Sequence, residues 1–524
     1  MIVKFADVGS AGWNADLPAH DLPEQPLAWS TVSNMAFRAG LAERVQGYAA
    51  GFDTTPTQTA LGLFAATKAA GTSYLISCGT NKVFDVTGTT ENEITGTSTP
   101  ASTADLKWSG GELTGFLVLN ETTILPQFIA VESLGGATNL ADLTNWPAST
   151  YCKVLRPFKY YLVAGGMTES STYYPYKVRW STAAVPGTLP ASWTATTSND
   201  AGSVDLSANY GPIIDMVPFG NSLIIYRARG MTEMRWIGGT DATNRLVMSF
   251  TDVPAGTTTG ILGLNCVVDV AGLGHVVLSQ SDVYIFDGTQ TRSVLDNRTR
   301  DWLRENIDST YAKRAFVLNN ADRNEVWVCF PESAQTACTK AIIFNYQNNT
   351  VGLRDLPSVH CGIHAPLSEG TALTWAGLSG TWDTLSQGSW DNFASASQFR
   401  KTVLGGAALY IVGNGTTANG TAMSSQLERQ YIALGDNQRV KFIRSVWPKF
   451  EAPTAGQEFT IQIGTAMSSD EAITWQTERT YTYGTSRKVD VNRAGRYMGL
   501  RIRCSDGPWR LRSMDVDLQP QGAW

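Results

Sequence analysis

HVVLSQSDVYIFDGTQTRSV, residues 275–294, sets two short apolar runs on either side of a polar turn, and its second run closes on an aromatic followed by Asp-Gly. The same unit recurs as YLISCGTNKVFDVTG (74–88) and SLIIYRARGMTEMRWIGG (222–239). A longer version, NEVWVCFPESAQTACTKAIIFNYQNNTVGLRDL, fills 324–356. Val, Ile, Phe, Tyr and Trp cluster or alternate over about 4–8 residues and then yield to Gly, Asn, Asp, Ser or Pro, which is the signature of strands and turns. Strands this short cannot bury an apolar face alone, so they must stack as repeated small sheets or close into sandwiches.

Six such groups follow one another, near 61–88, 106–131, 152–181, 213–239, 266–288 and 315–348, at roughly 45–70-residue intervals. Four strands per group around a common axis describe a β-propeller, with six blades as the expected count. Two unrelated β-sandwiches are the alternative. One short helix is expected within RTRDWLRENIDSTYAKRAFV (298–317), as a connector between the fifth and sixth groups. A turn at Ala39-Gly40 should join two short strands around Met35–Phe37 and Leu41.

The fold class expected is therefore all-β: a propeller plus a C-terminal β-sandwich-like domain. The expected boundaries are 1–54 for an N-terminal arm and first strands, and 55–365 for the propeller. Residues 366–438 read as a Trp/Gly-rich connecting region that completes a blade or a platform, and 439–524 as the sandwich. In YMGLRIRCS, Met498, Leu500, Ile502 and Cys504 should face one way and Arg501 and Arg503 the other. The repeated Gly-x-Trp-Asp at Trp382-Asp383 and Trp390-Asp391 reads as aromatic packing under loops.

Charged residues are 16% of the 524, well under the roughly 25% of an average domain. Net charge is −6; residues 439–524 hold 13 Lys/Arg against 9 Asp/Glu, which leaves −10 on the rest. A basic stripe for nucleic acid is missing before the last domain. No apolar run reaches the ~18 residues of a membrane span. The opening MIVKFADVGSAGWN lacks a secretory h-region, so synthesis in a cytosol is expected. Seven Cys, an odd number set singly in the chain, argue against a disulfide scaffold.

Motifs that carry chemistry are sparse. Phosphate-loop, hydrolase-elbow, zincin and EF-hand patterns do not occur. Cys338, His360, Cys361 and His364 are the best metal candidates, yet they lack a Cys-x-x-Cys knuckle and read as loop residues. Asp215, Glu233, Asp282 and Glu325 are carboxylate candidates by position only, and Asp322 and Glu325 read as a local salt link or Asx-turn around Arg323. The expectation is no enzyme, no catalytic residue, no metal and no cofactor.

Two sets of interaction residues remain. The irregular opening carries Trp13, Leu17, Leu22, Trp29, Met35 and Phe37, spaced apolar anchors suited to docking on a neighbouring surface. The alternative is an arm folded back to close a blade. Arg501, Arg503, Arg510 and Arg512 are expected to make protein contacts with an acidic propeller, in their own or a neighbouring subunit, since Arg pairs two-point with carboxylates. Phosphate contact and a solvated face are the alternatives.

The opening series Trp13-Asn-Ala-Asp-Leu-Pro, Asp21-Leu-Pro, Ala28-Trp29, Ser33-Asn34, Phe37-Arg38-x-Gly40 and Glu43-Arg44-x-x-Gly47-Tyr48 resembles the start of the tail nozzle or tail hub proteins of short-tailed bacteriophages, which include the packaged-DNA stabilisation proteins. Asn319-x-Ala-Asp-Arg-Asn-Glu325-Val-Trp-Val, Ile343-Phe-Asn-Tyr346 and the two Trp-Asp units extend the likeness. The resemblance implies a virion protein of the podovirus tail, made in the host bacterial cytoplasm. It implies a six-bladed propeller per subunit and a homohexameric ring below portal and adaptor. Its partners would be further copies of itself, tail adaptor or connector proteins, and tail fibre or tailspike proteins. Phage DNA would pass through the ring on ejection without sequence-specific binding. A net-negative wall suits that passage, because each Lys/Arg–phosphate contact would add affinity and slow it. The competing readings are a propeller that binds carbohydrate or degrades polysaccharide, and a monomeric interaction scaffold.

Overall fold

The computed structural model describes the chain apart from residues 53–55, 89, 197, 239–246, 254–259, 368–399, 414, 452 and 524. Both Trp-Asp units, at 382 and 390, lie outside the described residues. The fold is built overwhelmingly of β-strands, and none of its described helices is long and apolar enough to cross a membrane.

Five sheets each contain four consecutive antiparallel strands. The first runs Gly62–Thr67, Ser73–Cys78, Val83–Thr87 and Thr90–Glu93. The second spans Ser109–Leu113 to Ala141–Asp142, the third Thr150–Phe158 to Gly202–Asp205, the fourth Ile213–Phe219 to Met248–Asp252, and the fifth Val267–Val270 to Thr291–Ser293. Tight turns join many of the strands where the sequence places Gly, Asn, Asp or Ser, as at Gly115, Gly220 and Gly272. Alternation explains their packing: in Val83–Thr87 and Ser73–Cys78, Leu75, Ile76, Val83 and Val86 are all fully buried between neighbouring sheets.

Two more four-strand units sit inside a larger fifteen-stranded sheet. The sixth unit pairs Phe316–Asn320, Glu325–Phe330, Cys338–Asn345 and the first half of Thr350–Pro366. The second half of that 17-residue strand, from Val359, pairs with Arg400–Gly406, then Leu409–Val412, then Tyr48–Ala50. This seventh unit was not visible as a contiguous group, because its outer strand comes from the N-terminal segment. Its neighbour is the first unit: the Ala60 amide donates to the Gly406 carbonyl at 2.9 Å. Cys338 and Cys361, expected near loops, lie inside these strands, and all seven Cys are buried and free.

The rest of the N-terminal segment is woven into the C-terminal strands. Ile2–Phe5 and the hairpin Met35–Arg38/Leu41–Arg44 both pair with Arg510–Ala523, which also pairs with Arg439–Glu451. Thr31–Ser33 pairs with Ser425–Ile432, which continues through Tyr497–Cys504 to Glu458–Ala466. The hairpin turns as expected at Ala39-Gly40, whose φ values of 48° and 76° both require the left-handed region. The two sheets meet through Phe450 and Phe459, stacked at 4.0 Å, with Trp509 edge-on to both. Met498, Leu500, Ile502 and Cys504 form the buried face of their strand, as the alternation predicts. The strands 31–44 and 425–432 thus share sheets with residues beyond 439.

The helix Arg300–Asn306 falls in the expected connector. Its own N-cap, Thr299, makes no side-chain cap bond. Asp16 supplies it from the N-terminal segment, accepting from the Asp301 and Trp302 amides at 3.1 and 3.0 Å.

Candidate functional site: a cavity shared by seven first strands

One cavity of about 380 Å³ receives a residue from the inner strand of every unit: Phe64, Gly110, Arg156, Met216, Asp269, Val317 and His360. Its wall is held by a buried polar network. Asp215, fully buried, accepts from Arg156 at 3.0 Å and from the Asn265 amide at 2.8 Å, while Arg156 also reaches the Asn265 side-chain oxygen at 2.7 Å. A carboxylate removed from water this completely is tolerable only when its lone pairs are filled, and here a guanidinium and a backbone amide fill them.

The segment ahead of the second unit ties distant units together. Lys107 donates to the Leu264 carbonyl at 3.0 Å and to the Ala315 carbonyl, linking the second, fifth and sixth units. Asp105 takes a two-point bond from Arg314 at 2.7 and 2.8 Å. His360 sits below them. Burial pushes its pKa down, and the positive Arg314 and Lys107 push it further, so the imidazole is held neutral. The space can hold a small guest. It cannot pass a duplex, whose major groove alone is about 12 Å wide.

The expected anchors are not a free docking face. Trp13, Leu22, Trp29, Met35 and Phe37 are each at most 3% exposed within this chain. Trp13 packs edge-on against Trp302 at 4.7 Å, and the Trp29 ring N–H donates to the Val8 carbonyl at 2.7 Å. Leu17, at 39%, is the one that reaches solvent. Trp13, Trp29, Met35 and Phe37 fill a core shared by the C-terminal sheets and the fourth to sixth units, and an apolar anchor does not encode whose surface it meets.

All four arginines pair with carboxylates, but not those of the seven units. Arg501 meets Glu428 at 2.5 Å and lies over the Trp475 ring at 4.3 Å; Arg503 meets Glu478 at 2.9 Å. Arg510 meets Glu43 at 3.3 Å and Arg512 meets Glu451 at 2.9 Å. The register that sets Glu428 opposite Arg501 decides the first pair, and local strands or the N-terminal hairpin decide the others.

The carboxylate candidates are dispersed, each with its own partner: Glu233 with Arg235 at 2.9 Å, Asp282 with Arg300 at 4.0 Å, Glu325 with Arg38 at 3.4 Å. Asp322 faces His364 at 3.4 Å across two units instead of closing a local link. Among the described residues no three His, Cys, Asp or Glu side chains converge as metal ligands. Lys107, Arg156 and Asn265 escaped the sequence reading. Lys107 and Asn265 each sit two residues ahead of a unit's first strand, the one recurrent signal that pointed to them.

No protein-family model and no curated protein matches this chain. Solved structures with a resembling chain trace include PorZ, a surface component of the type-IX secretion system of Porphyromonas gingivalis, at 9% identity and TM-score 0.37, covering 85% of this chain and 46% of that one. This chain therefore spans about half the length of PorZ. BBS1N (9%, TM-score 0.39, 71% and 95% covered) and YCF48 bound to D1 peptide (9%, 0.39, 73% and 97%) are similar to the same extent. Likeness of this degree assigns no family.

Proposed function

We propose that the seven units are the blades of one β-propeller, seven where six groups were legible, and that the two C-terminal sheets form a sandwich beside it. Support comes from the cavity lined by all seven inner strands and from the bond between Ala60 and Gly406, which joins the last unit to the first. An N-terminal strand that completes the last blade, here Tyr48–Ala50, is a physical latch: opening the ring requires peeling the start of the chain from its end.

On this architecture we propose a structural virion protein, the ring-shaped nozzle or hub of a short phage tail. One observation carries it: the residues on which the resemblance rests are those that lock this architecture together. Asp16 caps the helix, Asn34 bonds Asp355 and the Ser424 carbonyl, and Arg38 and Glu43 form an ion pair at 2.9 Å. Arg44 donates to the Gly507, Thr416, Met423 and Ser505 carbonyls, and Gly47 packs on the Thr417 backbone. A likeness concentrated on closure residues is a likeness of architecture. Because the cavity of about 380 Å³ is too small for a duplex, a genome channel would have to lie between subunits.

Native mass spectrometry of the purified protein and imaging of intact virions test this reading. Expected is a closed ring of copies, six by the resemblance, around an opening that admits a duplex. A protein absent from virions, or monomeric within them, would refute it.

A further inference from the structure

Next to the cavity shared by the seven units lies a second, more enclosed one of about 230 Å³, whose otherwise apolar lining carries Lys107, Lys153, Lys313, Thr122, Gln280 and Asp105. We propose that it is a binding site for a compact oxyanion, a phosphate- or carboxylate-bearing group seated between Lys153 and Lys313.

Positive charge here exceeds negative. Three ammonium groups and one carboxylate line the space, and that carboxylate, Asp105, is held at both oxygens by Arg314. Lys107 is fixed by two carbonyls and cannot turn away. Lys153 is half-buried on the strand Thr150–Phe158, and among the described residues neither it nor Lys313 has a carboxylate at ion-pair distance. Burial, and then the repulsion of Lys313, push the Lys153 ammonium below its ordinary pKa. Folding that concentrates like charge in a concave, partly desolvated space works against stability unless a counter-charge enters. Thr122 and Gln280 add hydroxyl and amide donors on the rim, neither engaged by another described residue. Lys153, Lys313, Thr122 and Gln280 offer donors to this one space, and an oxyanion is the complement that supplies their acceptors. The cavity's size admits a group such as pyrophosphate or citrate and excludes a nucleic-acid duplex. The proposal does not depend on the assembly proposed above.

Full-length protein titrated calorimetrically with pyrophosphate and, separately, with citrate tests it. Wild type should bind at least one of them saturably with a single site, and the one preferred names the source of the oxyanion. Lys153→Met and Lys313→Gln should each weaken binding by roughly tenfold, the worth of one charge-assisted bond. Lys4→Gln, on the distant first strand, should leave it unchanged. Lys153→Met should also raise the melting temperature of the unliganded protein, because it removes a repelled, half-buried charge. The probe should raise the melting temperature of wild type but not of the double variant. Wild type without saturable binding of either probe, or variants that bind as wild type does, would overturn the proposal.

Discussion

Arg510 and Glu43 lie 467 positions apart in the chain and 3.3 Å apart in space, so the last strand is tied to the N-terminal hairpin by charge as well as by backbone pairing. Glu43 is shared. Arg38 reaches it at 2.9 Å and Arg323, from the sixth unit, at 4.0 Å. One carboxylate thus serves the hairpin, the seven-unit body and the C-terminal sheets.

Replacing it should be costly out of proportion to its size. Glu43→Gln keeps the shape and leaves the guanidinium groups of Arg38, Arg323 and Arg510 with Glu325 as the remaining nearby carboxylate. A loss of about 1–3 kcal/mol is expected, read as a lowered urea midpoint. Arg512→Gln, at an exposed pair, should shift the midpoint by less than about 0.5 kcal/mol and serves as the contrast.

The Asp16 cap predicts a local effect. Asp16→Ala should cost about 1 kcal/mol, and hydrogen exchange should quicken first at the amides of Asp301 and Trp302. Unchanged exchange there would mean that the cap contributes nothing.

The seventh unit depends on close approach at Gly47. A Cβ there would stand 2.3 Å from the Thr417 carbonyl oxygen, a backbone atom that cannot step aside. Gly47→Val should therefore detach Tyr48–Ala50 from Leu409–Val412 and expose both strands to exchange, while the five separate sheets keep their protection.

Deleting residues 1–30 removes Trp13, Asp16, Leu22 and Trp29 together. Since those side chains fill this chain's own core, the truncated protein should melt many degrees lower or fail to fold; burying Trp29 alone is worth about 3–5 kcal/mol. A truncated monomer with unchanged melting temperature would restore the view of the opening as an arm for a neighbour.

Acid should weaken the fold through histidine. His275 is fully buried, its Nε2 donating to the Pro218 carbonyl at 2.9 Å and its Nδ1 accepting from Tyr226 at 2.7 Å. Burial holds its pKa below the ordinary 6.5, outweighing the raising influence of the Pro218 hydrogen bond and of Asp269 and Asp215, and His360 and His364 are lowered by burial too. The unfolded chain takes up these protons first. Their stabilising contribution is complete above 6.5 and is lost as pH falls from there towards the folded-state values. The urea midpoint should fall between about pH 7.5 and 5.5, and His275→Gln should flatten part of that slope.

Local structure is written in short windows of residues. YLISC with its Gly-Thr-Asn turn, the Ala39-Gly40 hairpin, the short helix at Trp302 and the alternation of Met498, Leu500, Ile502 and Cys504 were all legible, because side-chain periodicity and turn chemistry act over a few residues. Tertiary structure alone decided which surfaces those elements meet. Nothing in Tyr48-Ala49-Ala50 names Leu409–Val412 as its partner, and a strand as long as Thr350–Pro366 carries no mark that its halves serve different units. Trp13 and Trp29 announce burial without saying in what. Arg501 announces a carboxylate without saying that register will set Glu428 opposite it. The same holds for the site: Lys107, Lys153 and Lys313 are unremarkable singly. They form a cavity only because strand starts from distant stretches converge, and that convergence follows from long-range pairing that no window of neighbouring residues contains.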